Sequence, residues 1–147
     1  MGVRRLSREF SLQFLYACDI KGSFALKDIK EFWDIFIEVH HLDESIKEDT
    51  VFIEFVDRLL NHVLTHLEDI DKTIRIYTTN WDFNRITVVD RNILRMALAE
   101  IFYMADIPSV VSIDEAVDIA KKYSTPDSGK FVNGVLDKVK DECAKKE

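Results

Sequence analysis

Apolar residues recur at three- and four-residue intervals along most of the chain, the spacing of one helix face at 100° per residue. Val3, Leu6, Phe10, Phe14 and Ala17 form the first stripe and predict a helix from Val3 to Ile20, ended by Gly22. Leu26, Ile29, Phe32, Trp33, Phe36 and Ile37 predict a second from Leu26 to Val39, followed by a polar break at His41 to Ser45. A third pattern runs from Asp49 to Tyr77 through Phe52, Val56, Leu59, Leu60, Val63, Leu67, Ile70 and Ile74. Its length implies a break between Leu67 and Asp71. Thr78 to Ile86 sets Trp81 and Phe83 among polar residues and reads as a connector packed down by those two rings.

Thr87 has the character of an N-cap, with Asp90 three residues on as its capping-box partner. The helix that follows, to about Ala105, is apolar around most of its circumference, so it belongs at the centre of the molecule. Ser112 and Glu115 form an S-x-x-E capping box and predict the start of a helix through Ala116, Ile119, Ala120 and Tyr123. Thr125 can cap the last helix, and Pro126 suits its first position. Residues 130–136 could instead turn as a hairpin at Asn133-Gly134. Phe131, Val135 and Val139 with Val132 and Leu136 extend a helical spacing beyond two short strands, so helix is the expectation. Gly134 then costs about 1 kcal/mol relative to Ala, which close approach by a neighbour would compensate.

Composition narrows the class. The chain has 147 residues, 47% of them hydrophobic, and no repeat or linker, so residues 1–147 are expected to form a single all-α domain. Four glycines and two prolines are too few for a turn-rich β fold. No apolar stretch approaches the roughly 20 residues of a membrane span, and no signal peptide is evident, so no membrane contact and a cytoplasmic location are expected. Cys18 and Cys143 read as small packing residues rather than a metal or disulfide framework. Net charge is −7, but it is uneven. Residues 1–27 carry five basic and two acidic side chains, residues 28–71 three and thirteen, and residues 72–147 twelve of each. Because binding follows local potential within about a Debye length, an Arg-dense end can hold phosphate beside an acidic flank.

Catalytic patterns fail on inspection. Gly129 to Gly134 has the glycine spacing of a P-loop, but Val135-Leu136 stand where Lys-Ser/Thr must contact phosphate and Mg²⁺. His62 and His66 share a helix face, yet no Glu follows His62 as a zincin motif requires, so a solvated helix edge is the better reading. The first helix carries a sharper signal. Arg4, Arg5 and Arg8 lie opposite the apolar stripe, with Gln13 and Tyr16 further along, and the basic tip is expected to protrude. Arginine forks pair with phosphate, Gln reads base edges and Tyr stacks on unpaired bases, a combination suited to single-stranded RNA. The alternative is a solvated basic helix start. The start of the last helix offers free amides, Lys130 and the Phe131 ring, while Asp127 opposes an anion and suits the helix dipole. Glu100 falls on an apolar arc, where a carboxylate must accept from backbone amides or an Arg, or else face a partner protein.

Four blocks carry a family resemblance: "RRLSREFSLQFLY" at Arg4 to Tyr16, "VVDRNILRMALAE" at Val88 to Glu100, "IDEAVDIAKKYS" at Ile113 to Ser124, and "DSGKFVNGVLDKV" at Asp127 to Val139. In content, order and separation they resemble the signature blocks of the bacterial antitermination factor NusB family, over the whole chain. The resemblance implies two small helical bundles set against one another, with no catalytic activity and no cofactor or metal. It implies binding of boxA leader RNA of ribosomal RNA operons as a heterodimer with NusE, a small-subunit ribosomal protein, within an RNA polymerase antitermination complex. Family RNA contacts carried to this sequence are Arg4, Arg5, Arg8, Gln13, Tyr16, Asp127, Ser128, Lys130 and Phe131; the NusE contacts are Arg91, Arg95 and Glu100. Leu6 stands where members often have another basic residue, and residues 28–71 are unusually acidic, which implies weak RNA affinity for the chain alone. Two rivals remain. One is the NusB-like domain of an RNA methyltransferase, although no cofactor-binding domain follows Glu147. The other is a helical adaptor that contacts only protein, through the acidic 28–71 surface.

Overall fold

Gly22 ends the first helix as its sequence position predicts. Helix α1 spans Val3–Lys21, and Gly22 takes a left-handed φ of 77°. Its N–H donates to the Asp19 carbonyl and that of Ser23 to the Cys18 carbonyl, closing the helix. The computed structural model describes residues 2–26 and 29–143. Helix α2 is Ile29–Val39; part of the stretch expected to open it, residues 27–28, lies outside the described residues. After a 3-10 turn at Glu44–Glu48 come α3 (Thr50–Thr65), capped by the Asp49 carboxylate, and α4 (Leu67–Tyr77). A short 3-10 turn, Phe83–Arg85, leads to α5 (Val88–Tyr103), α6 (Ser109–Tyr123) and α7 (Pro126–Cys143). No strand occurs among the described residues, and the hairpin alternative at Asn133-Gly134 gives way to helix.

Helices α1, α2 and α3 pack as one bundle and α4, α6 and α7 gather in a second, with α5 touching α1, α3, α4, α6 and α7. In the first bundle Phe10 meets Trp33, Phe36 and Phe52 at ring separations of 4.9, 5.1 and 5.8 Å. In α5, Ile93, Leu94 and Leu98 are fully buried, as an apolar circumference requires.

Four local expectations need correction. The third pattern breaks at His66, just upstream of the expected stretch: His66 leaves helical angles, while Ile70 N–H still reaches the His66 carbonyl. That bend lets Val63 of α3 and Ile70 of α4 both enter the core. Ser112 does not cap α6. The helix already starts at Ser109, behind Pro108, and Ser112 faces inward. Gly134 has nothing near it, whereas a Cβ on Gly129 would stand 2.9 Å from Lys121 Cγ, so the close approach belongs to Gly129. Only one of the connector's rings is packed down: Phe83 lies against the core, but Trp81 is 59% exposed.

Candidate nucleic-acid interface

A helix surrounded on all sides must satisfy its polar residues internally, and α5 does so twice. On one side Glu100, 2% exposed, accepts from Arg8 Nε and Nη2 at 2.8 Å each and from the Ser112 hydroxyl at 2.7 Å. Arg8 is itself 3% exposed and also reaches Glu115 at 3.3 Å. The expected protruding tip therefore loses Arg8, whose fork is spent on a bidentate carboxylate pair inside the protein. Glu100 takes the Arg-bonded alternative and presents no surface to a partner.

On the other side Arg95 bonds both oxygens of Asp71 at 2.8 and 2.9 Å and shares Asp19 Oδ2 with Arg91 and Asn92. This cluster ties α1 and α4 to α5, and the guanidiniums of Arg75, Arg91 and Arg95 surround the Phe83 ring. Of the other two residues expected to meet a partner, Arg95 is buried in this cluster, whereas Arg91 bonds Asp19 from a partly exposed position. Sequence periodicity placed all three on α5 but could not show which neighbours bring counter-charges.

What stays accessible on α1 is Arg4, half-exposed and 3.9 Å from Asp106, and Arg5, which bonds Glu115 and Asp118 of α6 from a partly open position. Further along, Tyr16 is 43% exposed, and Gln13 meets His40 Nε2 at 2.9 Å. Burial holds the His40 imidazole below its ordinary range despite the nearby Glu9 carboxylate. Leu12, Gln13, Tyr16 and Ala17 of α1 line a mostly apolar cavity of about 350 Å³ with Phe32, Val89 and Tyr123. Glu9, fully buried, accepts from Lys122 Nζ at 2.7 Å and from the hydroxyl of Tyr123, one of these lining residues. Burial, reinforced by Glu9, raises the Tyr123 phenol well above its usual range.

Tyr123 also connects this patch to the last helix. Ser124, the next residue, bonds Ser128 at 2.8 Å, and Thr125 Oγ1 accepts from the Ser128 N–H at 3.1 Å, the cap the sequence predicts. Ser128 is buried, Asp127 and Lys130 are exposed, and Phe131 is half-buried against the core. Asp90 of α5 lies nearby. Its backbone N–H donates to Thr87 Oγ1 at 3.2 Å, completing one half of the expected box. Its Oδ1 is buried with no hydrogen-bond partner among the described residues, and burial raises its carboxyl above the usual range against the pull of Ser128 and Thr87. The structure thus brings Gln13 and Tyr16 close to the α7 start by way of Tyr123. Arg4 is separate, twelve residues or roughly 18 Å up the helix from Tyr16. Sequence reasoning missed Glu9, Asp90, Trp81 and Tyr123. For Asp90 the one signal was a carboxylate within an apolar arc, the clue that did single out Glu100; Glu9 lies outside the α1 stripe, and its burial comes from α6.

Among the described residues no cluster of three or more His, Cys, Asp or Glu could hold a metal ion. His66 stacks on Tyr103 at 3.7 Å with His62 beside it, so the pair forms part of an aromatic stack on a partly exposed helix edge. No described helix is long and apolar enough to cross a membrane.

The NusB family model matches residues 5–141. The chain belongs to the NusB family. A NusB relative from Thermodesulfovibrio yellowstonii, a transcription antitermination protein, is 40% identical over 92% of this chain and 90% of its own length. Among solved structures, T. maritima NusB is 35% identical with a TM-score of 0.75, covering 98% of this chain and 94% of that one. A crystal structure of antitermination factors NusB and NusE in complex with dsRNA aligns at 27% identity and a TM-score of 0.75, over 95% and 96% of the two chains. The all-α, two-bundle arrangement is therefore that of NusB structures.

Proposed function

We propose that this chain is a transcription antitermination factor that binds boxA leader RNA of ribosomal RNA operons with NusE and acts on elongating RNA polymerase. The observation that carries the reading is the junction at Tyr123-Ser124, where the α1 patch of Gln13 and Tyr16 adjoins the α7 start with its capped amides, Lys130 and Phe131. A solved NusB–NusE pair holding RNA on the same fold supports it. Arg4, Arg5, Gln13, Tyr16, Asp127, Lys130 and Phe131 are the RNA-facing set, and Ser128 shapes the turn beneath them. Arg8, Arg91, Arg95 and Glu100 act by holding α1, α4, α5 and α6 in register. We read residues 1–147 as one non-catalytic domain working in the cytoplasm; a single apolar cluster joining both bundles supports the one-domain part.

The test is RNA affinity against salt, measured with NusE present. Arg4→Ala with Arg5→Ala should weaken boxA binding and lower the slope of log affinity against log salt by up to about 0.7 for each phosphate no longer neutralised. Unchanged affinity and slope would remove the α1 tip from the interface. A chain that pairs with NusE but never retains boxA RNA would be an adaptor.

A further inference from the structure

Trp81 is out of place in a protein that packs Phe10, Phe14, Phe36 and Phe52 into its interior: more than half its surface is open. Its backbone is held in place: the Trp81 backbone N–H donates to the Thr78 carbonyl at 2.9 Å, and Thr78 is buried with its hydroxyl bonded to the Ile74 carbonyl. Two residues on, the Phe83 ring packs under the guanidiniums of Arg75 from α4 and of Arg91 and Arg95 from α5, and the Asp82 carboxylate accepts from the Asn84 N–H. The connector is thus anchored on both sides of the indole. Trp81 meets Phe131 edge to face, with ring centroids 5.4 Å apart and planes 72° apart. In this pair Trp81 keeps more than half of its surface open, room for a third flat group.

We infer that Trp81 and Phe131 together form a stacking ledge for an unpaired nucleobase of bound single-stranded RNA. The inference rests on the proposed RNA-binding reading and adds to it a residue from the connector before α5, outside the blocks that carry the resemblance. Stacking on an aromatic needs no base-specific hydrogen bonds, because every base has a π face. The ledge continues the α7 start, where Lys130 is exposed. Asp82 and Asp127 are exposed as well, which disfavours phosphate at this spot and assigns the contact to a base.

The experiment uses the full chain with NusE and a boxA oligoribonucleotide, and reads tryptophan emission and affinity together. Trp33 is partly buried against Phe10 and Phe52, so Trp81 should dominate any RNA-induced change. Emission should quench in step with binding, and Trp81→Phe should abolish the quench while keeping most of the affinity. Trp81→Ala should weaken binding about five- to 150-fold, the range for removal of one base–aromatic stack. Salt slope and melting temperature should stay unchanged. Equal affinity for Trp81→Ala with no wild-type quench would overturn the ledge. So would failure of NusE pairing with RNA affinity intact, which would place Trp81 in a protein contact. If the wild-type chain fails to bind boxA at all, the proposed function itself falls, and the ledge with it.

Discussion

Arg8 and Glu100 show how far one residue's role depends on its burial. An exposed arginine near a helix start is a phosphate ligand in waiting, but one 3% exposed with two 2.8 Å bonds to a carboxylate is a structural tie. Arg8→Ala or Glu100→Ala should each cost about 3–5 kcal/mol, because each leaves a buried charge without its partner. Arg8→Met combined with Glu100→Leu should recover most of that, as urea unfolding midpoints of the singles and the double will show. Asp90 makes the complementary case. Burial raises its folded-state pKa above the ordinary carboxylate value, so the folded chain holds that proton more tightly than the unfolded one. Ionised Asp90 therefore costs stability above its folded pKa, and the cost fades as pH falls through that pKa towards the unfolded value. Asp90→Asn should raise the melting temperature at pH 8 and give little gain at pH 4; an equal gain at both would show that charge is not the cause.

At the scale of elements, helix content was legible because a 3.6-residue period needs no knowledge of neighbours, and α1, α5 and α7 begin or end where Gly22, Thr87 and Thr125-Pro126 indicate. The start of α6 was misplaced. An S-x-x-E box states what could cap a helix, while Ser112 and Glu115 are engaged by Glu100 and by Arg5 and Arg8 from other elements. The two glycines of α7 give a direct check. Gly134 is exposed with open space around it, so Gly134→Ala should stabilise by about 1 kcal/mol. Gly129→Ala should yield no such gain, since its Cβ would displace the base of the Lys121 side chain where α6 and α7 cross. Thermal melts of the two variants side by side distinguish helix propensity from packing.

For the whole molecule the decisive feature is α5, which contacts elements of both bundles and ties them through Arg8–Glu100 on one side and Asp19–Arg95–Asp71 on the other. Unfolding should accordingly be one cooperative step, with helical signal and Trp33 emission in a Trp81→Phe chain changing at the same denaturant concentration. Two separated transitions would mean that the bundles fold independently. Leu98→Ala, at the fully buried middle of α5, should lower stability by about 2–5 kcal/mol without splitting that transition.

By itself the sequence determined the helices, most of their ends, the apolar faces and the four blocks that resemble the NusB family, because periodicity, capping and motif spacing are properties of contiguous residues. It also singled out Gln13, Tyr16, Lys130 and Phe131, four side chains that the structure leaves at least partly exposed. Tertiary structure alone decided which polar groups stay open to a ligand. Charges 92 residues apart, Arg8 and Glu100, neutralise each other only when α1 and α5 pack together. Glu9 and Tyr123, 114 residues apart, bond by the same means, and Tyr123 lines the cavity beside Tyr16. Trp81 was assigned to the packed set from its apolar character, yet the anchoring of its connector leaves the ring in solvent against Phe131. Exposure is fixed by what the other elements cover, and a linear pattern of polar and apolar residues does not contain that information.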